Sequence, residues 1–254
     1  MGAYGGPNID NIGLEFCVDS ADRVSYYSGS TTWFDLSSNK NDGILSGSGG
    51  TNGKIGTVSS SLKAMAFNGS SDYIELGDKD DLDIRTSTAT VEAWFQAHSS
   101  VTNSRKIISK YLHNSGDEQG WYLDWDHDGT PRIFFDWGAG SSRYTFAQQT
   151  STNGGPNVTG SSAVWHHLVG TTGDGNFTKI YLDGNFVTSS TLNQPSGDNN
   201  SDARAMIGAQ INYATGAPWG HLKGLVGTVR LYSTSLSTSE VLQHYNAQKS
   251  RYGK

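Results

Sequence analysis

The chain has 254 residues, of which 35% are hydrophobic and 17% charged, with 32 glycines and a formal net charge of -6. An acidic chain with no Lys/Arg cluster lacks the concentrated basic face that neutralises phosphates, so nucleic acid is excluded as an expected partner, and no run nears the roughly 18 apolar residues of a membrane span. Cys17 is the single cysteine, so no intrachain disulfide can form, and the 7 Trp and 12 Tyr must supply the packing that holds the fold.

Residues 1–13 read as an arm. Its Gly/Pro-rich start, Gly2 to Pro7, has neither the basic nor the apolar region of a secretion signal, and a terminus of this composition can order along a neighbouring subunit. From Leu14 onward short segments alternate apolar and polar residues, the period of a strand with one buried face: Leu14 to Val18, Thr90 to Phe95, Lys179 to Leu182 and Leu225 to Tyr232. Turn clusters punctuate them at Asn68-Gly69-Ser70-Ser71, Asp128-Gly129, Asp183-Gly184 and Asp198-Asn199-Asn200, with a Gly/Ser-rich loop from Gly47 to Gly56. Asp183-Gly184, between Tyr181-Leu182 and Phe186-Val187, predicts a hairpin with a type I′ turn. Ser237-Thr238-Ser239-Glu240, followed by Val241, Leu242 and Tyr245, predicts one short capped helix. About a dozen strands and that helix give an all-β fold, a two-sheet antiparallel sandwich of jelly-roll type over residues 14–247, with 248–254 as a solvated tail.

Asp124-Trp125-Asp126-His127-Asp128-Gly129 places oxygen donors at alternate positions before a glycine, as the first half of a calcium loop does. Phe135 stands where the bidentate glutamate belongs, and Asp136 misses the register by one; the competing reading is a strand entering a hairpin. The same aspartates are spaced like the paired carboxylates of a glycosidase, although Asp is the shortest acid and Asp128 falls in the turn. His166 and His167 are adjacent on a strand, so they face opposite ways and cannot share an ion. Neither a nucleophile elbow nor a phosphate loop is present. Trp94, Trp121, Tyr122, Trp125 and Trp137 offer flat rings on which sugars can stack, against the alternative that they fill the core.

Several blocks together resemble a known family: Ala66 to Ile74, Ala89 to Phe95, Trp165-His166-His167-Leu168-Val169 leading to Ile180 to Gly184, and Gly224 to Tyr232 closing with Leu236-Ser237 and Glu240-Val241. They are similar to the laminin-G-like and pentraxin-like branch of the concanavalin A-like lectin/glucanase superfamily. The resemblance implies a jelly roll, often with a calcium ion, for which Asn68 and Asp72 join Asp124, Asp126 and Asp128 as candidate ligands. Gly227 stands where relatives commonly carry an acid that helps hold the ion, and the acidic pair of the glucanases is not found at any matching strand.

The N-terminal blocks Gly6 to Ile9, Gly13 to Phe16, Asp19 to Ala21, Ser28 to Ser37 and Asn41-Asp42-Gly43 resemble virion proteins of tailed phages, especially aquatic ones. That resemblance implies a capsid decoration, head-fibre or tail-appendage subunit at the virion surface, made in the host cytoplasm and released by lysis. Its expected partners are other virion proteins, further copies of itself and polysaccharide. A free lectin module and a glycoside hydrolase are the alternatives, and no catalysis is expected.

Overall fold

A computed structural model of the chain describes residues 9–47, 55–57, 63–84, 88–97, 105–113, 119–125, 131–137, 144–148, 164–173, 177–191, 202–212 and 214–254. Eighteen strands are described, more than the dozen predicted, because several are too short to show an alternating pattern. In chain order they are β1 (Leu14–Asp19), β2 (Thr32–Trp33), β3 (Gly43–Ser46), β4 (Ile55–Thr57), β5 (Lys63–Asn68), β6 (Tyr73–Gly77), β7 (Ala89–Ala97), β8 (Arg105–His113) and β9 (Gln119–Trp125). They continue with β10 (Pro131–Trp137), β11 (Tyr144–Gln148), β12 (His166–Thr172), β13 (Phe177–Leu182), β14 (Asn185–Thr191), β15 (Ala205–Ile207), β16 (Gln210–Asn212), β17 (Pro218–Trp219) and β18 (Lys223–Tyr232). One helix, α1 (Thr238–Gln248), follows.

The strands form two sheets. The first runs β14-β13-β12-β7-β18-β5-β4, with β1 beside the second half of β18; the second runs β11-β10-β9-β8-β15-β6-β3-β2, with β16 and β17 at its margin. Every pairing is antiparallel except that of β16 with β8. β18 is ten residues long and organises the first sheet: Lys223 to Val226 pair with β5, Thr228 to Tyr232 with β1, and β7 lies along its other edge.

Alternation decides which side chains meet between the sheets. In β7, Val91, Ala93 and Phe95 enter the same core as Leu123, Trp125, Ile133 and Ile207 of the second sheet, while Thr90, Glu92 and Trp94 point outward. The sheets approach so closely at Gly170 that a Cβ there would lie 2.6 Å from Ile133, which is why a glycine interrupts β12. The predicted hairpin is present: Asp183 and Gly184 have φ of 50° and 77°, positive at both positions as its turn type requires. The helix cap is present as well. Ser237 accepts from the Glu240 N–H while the Glu240 carboxylate accepts from the Ser237 N–H.

Two boundary expectations need correction. Residues 249–254 are no solvated tail: Tyr252 is buried and Arg251 makes a two-point ion pair with Asp19 at 2.6 and 2.7 Å. Within the arm, residues 1–8 lie outside the described residues, whereas Ile9 is buried and the Asp10 N–H donates to His244 Nε2 at 2.9 Å. Both segments are pinned because α1 covers the outer face of the first sheet and brings its neighbours down with it.

Candidate functional site

The aromatic set predicted as a stacking platform is interior wherever it is described. Trp94, Trp121 and Trp125 are at most 1% exposed, and Tyr122 is buried with Lys106 Nζ 3.6 Å above its ring. Trp121 and Trp125 belong to the core between the sheets, and Trp94, though on the outer face, lies under the segment after α1. The side chain of Trp137 lies outside the described residues, so four of the five predicted rings present no face to a ligand. The physical reasons differ: Trp121 and Trp125 are on the inner face of β9 and fill the sandwich, whereas Trp94 is on an outer face that more of the chain covers.

The carboxylates are also committed elsewhere. Asp124 is fully buried between Lys106 and Arg132, each 2.6 Å from Oδ2, so it holds two cations already and is not available as a metal ligand or catalytic acid. Asp126 and Asp128 lie outside the described residues. Asn68 Oδ1 accepts the N–H groups of Ser70, Ser71 and Asp72, and Asp72 Oδ2 accepts that of Asn68, so this pair closes its own turn. Among the described residues no three His, Cys, Asp or Glu side chains converge as a metal ion needs.

His166 and His167 diverge as alternation requires. His166 stacks on Trp125 inside the sandwich with Nδ1 3.0 Å from Asp183, whereas His167 stacks on Trp94 outside it, 3.5 Å from Glu92. Burial alone would push the Glu92 carboxyl up, but His244 at 2.9 Å and Arg230 at 2.5 Å hold it well below its usual range. This cluster is sealed beneath α1 and serves the fold. A cleft of about 230 Å³ at one end of the sandwich gathers Glu15, Asp80, Asp81 and Asp83, of which Asp83 is paired with the buried Lys110 at 2.9 Å. It offers a ligand no exposed aromatic face.

What the sequence reading did not single out is the loop between β1 and β3. Tyr27 is 55% exposed and stacks on Phe34, ring centroids 5.9 Å apart and planes 16° from parallel. Trp33 fills the core, so Thr32 before it points outward, and Ile44, its cross-strand partner, is 51% exposed on that side. Val24, 72% exposed, precedes the pair on the same loop. Exposed aromatic and aliphatic side chains thus lie on the edge strands of the second sheet and the loop before them, and the hydroxyl-bearing Ser28, Thr31 and Thr32 are close to them in sequence.

The loop is rigid because polar side chains replace a regular ladder. Buried Asp35 accepts from the N–H groups of Cys17, Ser37 and Asn41 and from the Ser37 hydroxyl, while its own N–H donates to Asp42. Ser25 joins the loop to β1 and to Phe34: its hydroxyl accepts from the Asp19 N–H and donates to the Phe34 carbonyl, and its carbonyl accepts from the Phe34 N–H. Ser30 and Tyr26 close the tip, with the Tyr26 hydroxyl donating to the Ser30 carbonyl at 3.2 Å. A stacked pair held this way is pre-organised, and exposed rings on a rigid frame are what a binding surface requires. The signal that could have found it is the run of Ser and Asp at buried loop positions, which marks a loop built to hold one shape.

Residues 68–242 match the family model described as the concanavalin A-like lectin/glucanases superfamily, and the chain belongs to that family. No curated protein matches the sequence. Among solved structures, the chain is similar to the binding domain of Paraclostridial Mosquitocidal Protein 1, with a TM-score of 0.63, 17% identity, and coverage of 92% of this chain and 52% of that one. It is similar to the receptor binding domain of botulinum neurotoxin C/D mosaic serotype (TM-score 0.65, 14% identity, 93% and 51% covered). It is also similar to the botulinum neurotoxin serotype D ligand binding domain in complex with N-acetylneuraminic acid (0.62, 14%, 93% and 51%). The chain thus spans about half the length of these solved chains, and at such identities the likeness is one of fold.

Proposed function

We propose that the chain is a non-catalytic carbohydrate-binding domain that engages sugar through Tyr27 and Phe34, and that it works in many copies on the surface of a tailed-phage particle. The observation that carries the first half is the exposed ring stack on a loop fixed by Asp35 and Ser25. A pyranose offers an apolar face to such a ring and hydroxyls to the serines and threonines around it. The solved structures it resembles are described as binding domains, one of them with N-acetylneuraminic acid, which supports binding over catalysis. The family also takes in glucanases, but Asp124, the described member of the carboxylate set, is already neutralised by Lys106 and Arg132.

The second half rests on the N-terminal blocks that resemble phage virion proteins. On a particle, weak sugar contacts repeated over many copies give avidity without a deep pocket, which suits an open edge site. Calcium enters this reading only through Asp126 and Asp128.

Calorimetric titration of soluble polysaccharide and of N-acetylneuraminic acid into the chain tests the binding site. Tyr27→Ala is expected to weaken binding at least about tenfold, with thermal unfolding unchanged; equal affinity in the two proteins would reject Tyr27 as the site. Release of reducing ends from laminarin, abolished in Asp126→Asn, would instead make the chain a hydrolase. Mass spectrometry of purified particles tests the location, where absence of the polypeptide would leave a free lectin.

A further inference from the structure

We infer that the outer face of the first sheet holds a second sugar site, closed by the chain's own residues 249–254 acting as a displaceable strap. Tyr252 lies with its ring 4.2 Å from that of Trp94 and only 8° from parallel, while Trp165 flanks it at 4.8 Å. A six-membered ring lying flat on one tryptophan, with a second tilted at 48° beside it, is an arrangement in which aromatic side chains take up the apolar face of a pyranose. The seat is made for an occupant that enters deeply: a Cβ at Gly227 would lie 2.4 Å from the Tyr252 hydroxyl oxygen, so β18 carries a glycine and a bulge at that point.

The polar groups point the same way. Among the described residues, both tryptophans at the slot have a buried indole N–H with no hydrogen-bond partner. Buried donors are nearly always paired, and two unpaired indole N–H groups at one slot call for an explanation. Tyrosine brings a single hydroxyl, which is engaged by Thr228 Oγ1 at 2.8 Å and leaves these donors unanswered. A sugar ring fills the same space and brings several acceptor oxygens.

The strap is fastened at its rim. Arg251 pairs at two points with Asp19, which is buried, and Lys254 pairs with Asp183 at 2.8 Å, where both side chains are partly exposed. Breaking the partly exposed Lys254–Asp183 pair costs little, whereas the two-point pair on buried Asp19 is costly to break, so the segment lifts only when a sugar takes the place of Tyr252 in the slot. The first site stays as described; the strap adds a second one whose access is regulated.

The test uses the full chain carrying Tyr27→Ala, so that the exposed site does not contribute. Adding Tyr252→Ala is expected to raise affinity for laminarin oligosaccharides or N-acetylneuraminic acid at least about tenfold over Tyr27→Ala alone. A folded double variant, judged by circular dichroism, that gains no affinity overturns the inference. If Tyr252→Ala prevents folding, hydrogen exchange on the Tyr27→Ala chain decides: saturating sugar should speed exchange across residues 249–254, and unchanged exchange overturns the inference equally. Loss of wild-type binding in Tyr27→Ala with no gain on adding Tyr252→Ala would sink the second site and leave the first standing.

Discussion

Glu92 is 1% exposed and shares its oxygens between Arg230, His244 and His167 on three other elements. A buried carboxylate is tolerated because these partners replace the water it has lost, and removing its charge leaves Arg230 buried without its counter-ion. Glu92→Gln is therefore expected to destabilise the chain by about 3–5 kcal/mol in urea unfolding, and a loss below about 1 kcal/mol would show the cluster to be solvated. At this scale the sequence was least legible. Trp94, Trp121 and Trp125 have the chemistry of a sugar platform, but ring chemistry does not tell which strand faces will be covered by later parts of the chain. Tyr27 and Phe34 are seven residues apart in a loop without periodicity, and only the Asp35 and Ser25 bonds bring them together.

Among the elements, those specified by local chemistry were the legible ones. The capping box of α1 needs only four consecutive residues, and Ser237→Ala is expected to cost about 1 kcal/mol, read as a lower thermal midpoint. The Asp183-Gly184 hairpin was equally readable, though its second task was not. Burial would raise the Asp183 carboxyl, yet His166, Lys254 and the His167 N–H hold it down at about 2. A depressed acid stabilises the fold above its unfolded range and loses that contribution as pH falls toward the folded value. Asp183→Asn, which still tolerates a positive φ, should therefore lie below wild type in thermal stability at neutral pH and converge with it as pH approaches about 2. A constant gap across that range would contradict the role given to the carboxylate. Pairing between distant strands was not readable: that β18 would join β5, β1 and β7 depends on contacts more than a hundred residues apart.

For the whole molecule, glycine-rich punctuation and period-two hydrophobicity anticipated the sandwich, and the family match agrees with it. The same architecture explains where binding is possible. Part of one sheet's outer face is closed by α1 and the segment after it, while an edge loop of the other sheet, stiffened by buried polar bonds, carries the exposed Tyr27 stacked on Phe34. Because no three described His, Cys, Asp or Glu side chains converge on one point, EDTA should leave sugar affinity at Tyr27 unchanged; a tenfold loss would assign a role to Asp126 and Asp128. The central claim is that sugar contacts the edge formed by Val24, Tyr27, Phe34 and Ile44, and amide chemical-shift mapping of the full chain during a sugar titration measures it directly. The largest shifts are expected within residues 22–34 and 43–46, persisting at low saturation; shifts centred on any other surface, with this edge unmoved, would rule the site out.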